Sequence, residues 1–176
     1  PLLYPAFRAV YLAVRKLGMI VTVNTNGTLL NEDWAAFFAK NPPRRVNVTL
    51  YGACGETYKS LCGDETGYAK AMRGIRLLQA HGVPVKVGVS VVRQNRHLET
   101  LFQITKERNL ELEPDTYILS TESGQHEARL SPEEAAAASL AATRIMLGTV
   151  GFHEYAQRTV QALESAVPET EAGMRC

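Results

Sequence analysis

Short segments of alternating apolar and polar residues recur along this chain, and they constrain the fold more than any other feature. In the clearest of them, valines occupy every second position from 85 to 91, with polar residues or glycine in between. Successive side chains of a strand point to opposite faces of a sheet, so this pattern predicts a strand with one apolar and one polar face. Four such strands are predicted, over residues 19–24, 46–51, 85–92 and 110–119.

A single helical segment separates each predicted strand from the next. Helices are predicted over residues 7–17, 31–40, 68–80 and 95–105, with two more from Ser131 onward and over about 154–165. Asn31, Asn95 and the Ser131-Pro132-Glu133-Glu134 segment supply the expected amino-terminal caps. Strands that alternate with single helices favour right-handed crossovers and therefore a parallel sheet.

The polar face of the predicted sheet indicates a barrel rather than an open sheet. A parallel sheet is usually covered by helices on both faces, and its strands are then apolar on both sides. Here the alternation leaves one apolar face for helices, whereas a barrel can turn a polar face toward a ligand-filled interior. We predict an α/β fold, a partial (β/α) barrel of about four parallel strands with helices on its outer face. A sheet whose polar face is simply exposed to water is the alternative.

The charge balance and the apolar runs argue against several classes of protein. Lys and Arg total 19 against 18 Asp and Glu, with no basic stripe, so a nucleic-acid partner is not expected. No unbroken apolar run approaches the roughly 20 residues that cross a bilayer, so a membrane span is not expected either. The three cysteines lack the close spacing of a metal site and fit a reducing compartment, which predicts a cytoplasmic protein.

Hydrogen-bonding residues gather where the predicted strands end. These ends are Asn24-Thr25-Asn26-Gly27, Thr49-Leu50-Tyr51-Gly52 and residues 91–95. Ligands of βα folds bind at the carboxyl ends of strands, so the pattern predicts a site for a polar small molecule. No nucleophile–base pair and no glycine-rich phosphate loop accompanies it. Lys86, if it faces the interior, needs an acidic partner, for which Asp115 and Glu113 on the next strand are the candidates.

Four motifs, in order along the chain, resemble those of radical SAM enzymes with a carboxyl-terminal SPASM domain. Pro1-Leu2-Leu3 resembles the end of their Gly-Gly-Glu-Pro element, and residues 23–30 resemble the third barrel strand with its turn. Residues 46–63 resemble the fourth strand and the segment after it, and Gly173-Met174-Arg175-Cys176 resembles the beginning of the SPASM domain. The resemblance implies that residues 1–150 are the carboxyl-terminal two-thirds of a partial (β/α)6 barrel. Residues 151–176 would be a helix and a linker toward that domain.

The resemblance also implies a reaction and its cofactors. In such enzymes a [4Fe–4S] cluster on a C-x-x-x-C-x-x-C motif reduces S-adenosylmethionine, and a 5′-deoxyadenosyl radical then attacks the substrate, a peptide or protein in the maturases. Thr49 resembles the fourth-strand hydroxyl that contacts the cofactor ribose. The other cofactor-binding residues that the resemblance implies are Pro1, Asn24, Thr25 and Ser90. Cys176 would be the first metal ligand of an auxiliary iron–sulfur site.

The sequence departs from this family pattern in ways that predict a fragment. No C-x-x-x-C-x-x-C occurs in the 176 residues, so we expect this chain alone to be inactive and to hold no bound cofactor. The chain also begins at Pro1, without an initiating Met or a signal sequence. The first predicted strand would then lack a neighbour, and its open edge predicts self-association. Two other functions stay open: a non-catalytic α/β domain that binds a small polar ligand, and a half-barrel that acts in assembly or interaction.

Overall fold

In the part of the chain that the structure describes, four strands and six helices follow one another in the predicted order, with two differences. The helix Gly55–Cys62 was not predicted, and the two helices predicted from Ser131 onward form one helix, Pro132–Ala166, that is interrupted at Gly148. The computed structural model describes residues 1–96, 98–116 and 129–166. The strands are β1 (Thr22–Thr25), β2 (Arg45–Leu50), β3 (Val85–Ser90) and β4 (Glu111–Asp115). The helices are α1 (Phe7–Lys16), α2 (Glu32–Lys40), α3 (Gly55–Cys62), α4 (Gly67–Ala80), α5 (Glu99–Glu107) and α6 (Pro132–Ala166), and Arg93–Asn95 form a 3-10 turn.

The four strands form one parallel sheet in the order β1-β2-β3-β4. The α/β class and the four parallel strands predicted from the alternation are therefore confirmed. The register is fixed by pairs such as Asn24 with Asn47, Asn47 with Lys86 and Lys86 with Glu111. Because side chains alternate along each strand, residues paired in this way stand in rows on the same face of the sheet.

The apolar face of the sheet forms the core together with the helices. α4 contacts β2 and β3, and α5 contacts β4. The fully or almost fully buried residues on the strands are Val23, Val46, Val48, Leu50, Val87, Val89 and Leu112, and those on the helices include Phe38, Ile75, Leu78 and Leu101. Burial of each such side chain contributes about 1.5–3 kcal/mol, so the alternation that predicted the strands also supplies much of the core.

Two of the three predicted helix caps are confirmed, and one is wrong. Asn31 Oδ1 accepts from the amide of Trp34 at 3.0 Å, and Ser131 and Glu134 exchange the two hydrogen bonds of a capping box, at 2.8 and 3.1 Å. Asn95 does not cap a helix, because α5 begins four residues later, at Glu99. The side chain of Asn95 turns back to the sheet instead.

All four strands differ in their limits from the prediction, β2 by one residue at each end and β3 by ending at Ser90 rather than residue 92, and one helix was not predicted. β1 begins at Thr22 rather than residue 19, and Met19 and Ile20 are exposed before it. β4 ends at Asp115, whereas its predicted end at residue 119 lies outside the described residues. α3 has eight residues, of which only Tyr58 is buried, and its apolar residues Tyr58, Leu61 and Cys62 cover a single turn, which is too short a pattern to indicate a helix.

The chain divides into two compact units, Pro1–Ser139 and Leu140–Cys176. The first unit contains the sheet and helices α1 to α5. The described part of the second unit is the larger portion of α6, whose backbone is non-helical at Gly148, with φ 70° and ψ 176°.

α6 is long and apolar enough to cross a membrane by length and composition, which the count of unbroken apolar runs did not foresee. An 18-residue window within Pro132–Leu163 has a mean hydropathy of 1.4, and 6% of that window is buried. The mean hydropathy of a window can stay high although it includes Ser139, Thr143 and Arg144, whereas each of these residues ends an unbroken apolar run. The finding is weak evidence for a membrane span, because helices of other kinds pass the same test and Gly148 interrupts this one.

Candidate functional site

The polar face of the sheet carries an open cavity of about 490 Å³. The residues that line it come from all four strands: Asn24, Asn47, Thr49, Lys86, Gly88, Val89, Ser90, Glu113, Pro114 and Asp115. Val23, Val46, Val48 and Val87 of the same strands are buried and do not line the cavity. The predicted orientation of the sheet, with its polar side toward a ligand-sized hollow, is therefore confirmed.

The first row of the polar face pairs two asparagines. Asn47 Nδ2 donates to Asn24 Oδ1 at 2.8 Å across β1 and β2. Asn47 Oδ1 is buried and has no hydrogen-bond partner among the described residues. A buried acceptor without a donor costs about 1–3 kcal/mol, so this pair of asparagines is not fully satisfied within the sheet.

The next row has a gap at its centre. Thr49 on β2 and Gly88 on β3 are paired, as are Gly88 and Glu113 on β4. A Cβ atom added at Gly88 would meet nothing closer than the backbone oxygen of Glu113, at 3.9 Å. The missing side chain thus leaves space between a hydroxyl and a carboxylate, in the middle of the polar face.

Lys86 is the buried charge of this face, and it bridges two carboxylates. Its side chain is 9% exposed, and Nζ lies 2.7 Å from Glu113 Oε2 and 3.0 Å from Glu111 Oε1. The hydrogen bond to Glu113 outweighs the cost of desolvation and raises the pKa of Lys86 above its usual value. Glu113 was one of the two predicted partners. The second partner is Glu111 rather than Asp115, because the register sets Glu111 beside Lys86 and Asp115 beside Ser90.

Asn95 holds the carboxyl ends of the two central strands, a function that the sequence did not predict. Its Nδ2 donates to the carbonyl oxygens of Tyr51 at 2.9 Å and Ser90 at 3.0 Å, and its Oδ1 accepts from the amide of Val92 at 2.7 Å. The β2–β3 ladder ends at the pair Leu50 and Val89, so these bonds continue the connection beyond it. The only sequence signal is an asparagine shortly after a strand, which equally fits a helix cap.

The turn after β1 packs closely against β2. Gly27 has a φ of +74°, and a Cβ atom there would come within 2.7 Å of Val48 Cγ1. Its amide donates to Thr25 Oγ1 at 3.2 Å. The turn therefore needs glycine for both its backbone angle and its close approach.

The structure brings three of the predicted cofactor-binding residues together and separates the others. Asn24, Thr49 and Ser90 line the cavity. Thr25 is 8% exposed on the apolar face and does not line the cavity, because adjacent strand residues alternate between the two faces. Pro1 is exposed and is not among the lining residues. Cys176 lies outside the described residues.

The cysteines and histidines form no cluster in the part of the chain that the structure describes. Cys54 and Cys62 are exposed thiols near the two ends of α3, and a hydrogen bond with the Thr57 side chain lowers the pKa of Cys54. His81 lies at the end of α4 and pairs with Glu32. Among the described residues no group of three or more His, Cys, Asp or Glu side chains could hold a metal ion.

A parallel sheet with helices on one face and a polar cavity on the other has the architecture of a partial (β/α) barrel. Residues 1–104 of this chain match the Radical SAM superfamily, and the chain belongs to that superfamily. The predicted membership of the radical SAM superfamily is thereby confirmed, and the SPASM domain stays a prediction.

The chain is similar to curated proteins and to solved structures, of which two of each are described. It is 28% identical over 99 residues to a cysteine-type anaerobic sulfatase-maturating enzyme of Clostridium novyi, covering 54% of this chain and 26% of the relative. It is 24% identical over 118 residues to an AdoMet-dependent heme synthase of Methanosarcina barkeri, covering 66% of this chain and 34% of the relative. The chain thus spans between a quarter and about a third of the length of these relatives.

The solved structures support the fold. One, described as native anSMEcpe with bound AdoMet and Cp18Cys peptide, is 23% identical with a TM-score of 0.59, covering 72% of this chain and 36% of that one. Another, TYW1 with a lysine-pyruvate adduct bound, is 17% identical with a TM-score of 0.58, covering 78% of this chain and 45% of that one. At these identities the likeness concerns the fold alone.

Proposed function

We propose that this chain supplies part of the barrel of a radical SAM enzyme that modifies a peptide or protein, and that the polar face of its sheet binds S-adenosylmethionine. The observation that carries the proposal is the cavity lined by Asn24, Thr49 and Ser90 in a member of this superfamily. The peptide substrate is supported by the sulfatase-maturating relative and by the peptide-bound neighbour. A cytoplasmic location fits the exposed thiols of Cys54 and Cys62.

The residues of the cavity fit such a cofactor. S-adenosylmethionine carries hydroxyl, amine and aromatic groups, and the face offers the hydroxyls of Thr49 and Ser90, the amide of Asn24 and an open space above Gly88. Thr49 would hydrogen-bond the ribose, with Asn24 and Ser90 on either side of it. Thr25 would act through the turn that it shares with Gly27. Pro1 and Cys176 stay predictions of the resemblance alone.

The iron–sulfur cluster does not fit on the described residues. No suitable group of metal ligands occurs among them, and the 176-residue sequence contains no C-x-x-x-C-x-x-C motif. When bound together, the cluster and S-adenosylmethionine supply the radical chemistry of the superfamily. The chain's own contribution would be to bind and orient the cofactor and to keep water from it. An assembly function has separate support in the apolar residues exposed beside the open edge of β1.

Binding of S-adenosylhomocysteine, a stable analogue of the cofactor, tests the proposal on this chain. We expect weak binding, detected by amide chemical shifts that change at Asn24, Thr49 and Ser90. Thr49→Val removes the hydroxyl while keeping the shape, and we expect it to weaken binding at least fivefold.

The matched control is Thr22→Val, on the same face of β1 but outside the cavity. Shifts confined to other surfaces, or equal affinities for the wild type and Thr49→Val, would contradict the proposal.

A further inference from the structure

A groove separate from the polar cavity lies between the turn after β1 and the first half of α4. Gly27, at the start of this turn, packs on Val48 and Ala71, which places the groove on the side of the sheet that the helices cover. Its volume is about 430 Å³, and it shares no lining residue with the cavity on the polar face. We call it the α4 groove, and it is lined by residues 28–31 together with Ala69, Lys70 and Arg73.

A close approach of the turn to α4 fixes the wall of the α4 groove. A Cβ atom at Gly74 would lie 2.7 Å from the carbonyl oxygen of Gly27 and 2.8 Å from Leu30 Cβ, so a larger residue would force the turn and the helix apart. Leu30 is buried in this contact, whereas the neighbouring Leu29 is 44% exposed and lines the groove. The groove therefore presents one large apolar side chain to solvent on a well-packed support.

The charged residues that line the α4 groove are both cations. Lys70 Nζ lies 2.9 Å from Asp64 Oδ2, whereas Arg73 forms no hydrogen bond or ion pair with any residue that the structure describes. None of the carboxylates next to the groove in sequence lines it, and of these Glu32 pairs with His81. The groove therefore has an uncompensated positive charge at Arg73.

The polar side chains of the groove offer donors rather than acceptors. The guanidinium group of Arg73 carries only N–H donors, and the ammonium group of Lys70 has N–H groups beyond the one in its ion pair. Asn31 Oδ1 already accepts from the amide of Trp34 at 3.0 Å, which leaves its Nδ2 group to donate. A carboxylate next to an apolar side chain matches both the donors and the exposed leucine.

We propose that the α4 groove docks an acidic peptide segment of a partner protein, in which an apolar side chain packs on Leu29 and a flanking carboxylate pairs with Arg73. Charge complementarity selects the partner, because two cations and no carboxylate line the groove. Leu29, Lys70 and Arg73 are all exposed, so the groove contacts its occupant from one side only. That geometry suits a segment of a larger chain better than a small molecule, which needs to be enclosed.

The test uses three peptides with both ends blocked: Gly-Glu-Leu-Glu-Gly, the same peptide with glutamine at both glutamate positions, and the same peptide with serine in place of leucine. We expect the first peptide to shift the amide signals of Leu29, Ala69 and Arg73, and to bind at least fivefold more tightly than the other two at physiological salt. Arg73→Gln removes the free charge from an exposed position of α4 and should weaken the first peptide about fivefold, the upper range of an exposed ion pair.

Arg76→Gln is the matched control, because it removes the same charge from the exposed side of α4 at a residue outside the groove, and it should leave the affinity unchanged. The inference is overturned if the glutamine or serine peptide binds as tightly as the first, or if Arg73→Gln and Arg76→Gln have equal effects. It is also overturned if the groove signals shift when the protein alone is concentrated, because the occupant is then a second copy. S-adenosylhomocysteine, which probes the polar cavity, should leave these signals unchanged, so this inference and the proposed function are tested independently.

Discussion

At the scale of single residues, Asp64 shows how one exposed carboxylate can organise a turn. It lies between α3 and α4, where its Oδ1 accepts from the amide of Thr66 at 2.9 Å and from the Thr66 hydroxyl. Its Oδ2 lies 2.9 Å from Lys70 Nζ. These donors, the Thr66 hydroxyl foremost, lower the pKa of Asp64 from 3.8 to about 2.

The lowered pKa predicts a specific loss of stability in acid. A carboxyl group whose pKa is lower in the folded state stabilises that state above its unfolded pKa, and the contribution disappears as the pH falls from about 4 to about 2. We expect Thr66→Val to raise the pKa of Asp64 toward 3.8, as measured by the pH titration of its carboxyl carbon. Lys70→Met should have a smaller effect, because its hydrogen bond is the lesser cause.

Thr28→Val is the control for this titration. The Thr28 hydroxyl donates to Asn26 in a different turn, so its removal should leave the midpoint of Asp64 unchanged. A midpoint near 3.8 in the wild type would contradict the assignment of these hydrogen bonds.

Residue identities on the polar face could be predicted from sequence, but their partners could not. Alternation alone places Asn47, Thr49 and Lys86 on one face, because side-chain direction in a strand depends only on position. Which residues pair depends on the register of the two strands. A shift of the register by two or four residues keeps the same face, so alternation alone does not determine the register. Glu113 and Asp115 were equal candidates for Lys86 for that reason, and Glu111 was overlooked.

At the scale of secondary-structure elements, Asn95 connects strand ends that the sheet itself does not hold. Its three hydrogen bonds join Tyr51, Ser90 and Val92, and the side chain is almost completely buried. Thr49 and Ser90, two of the proposed cofactor contacts, lie within two residues of these bonds. Asn95 therefore fixes the edge of the cavity at the point where β2 and β3 would otherwise separate.

Removal of this connection should destabilise the domain. Asn95→Ala leaves three backbone groups without their partner, and we expect the free energy of unfolding to fall by about 2–4 kcal/mol, measured by urea denaturation. Asn31→Ala removes the exposed cap of α2 and should cost about 1 kcal/mol. Equal losses in the two variants would contradict the connecting function of Asn95.

Helix α3 is the element that the sequence pattern did not predict. The strands were recognisable because a period of two becomes visible within four to six residues. α3 spans eight residues, and its apolar residues Tyr58, Leu61 and Cys62 mark only one turn of a period of 3.6. Gly63 ends α3 in the left-handed conformation, but a single glycine in a sequence indicates such an end only when the preceding helix has been recognised.

At the scale of the whole molecule, β1 is an edge strand beside an exposed apolar surface. In the part of the chain that the structure describes, β1 pairs with β2 alone. Leu17, Met19 and Ile20, which lead into β1, are 73%, 57% and 77% exposed. An open edge with apolar neighbours favours pairing with another strand, and a second copy of this chain offers an identical edge.

We therefore expect the chain to self-associate at micromolar concentrations, with a mass by light scattering that rises with concentration. Ile20→Lys places a charge beside the open edge and should shift the equilibrium toward monomer at least tenfold, as edge lysines do in natural sheets. Leu29→Lys, at a residue that is 44% exposed in the turn after β1, is the matched control. Leu163→Lys tests the apolar residues of α6 as the other possible contact. A monomer at every concentration, or dissociation caused by Leu163→Lys and not by Ile20→Lys, would show that the edge of β1 does not drive assembly.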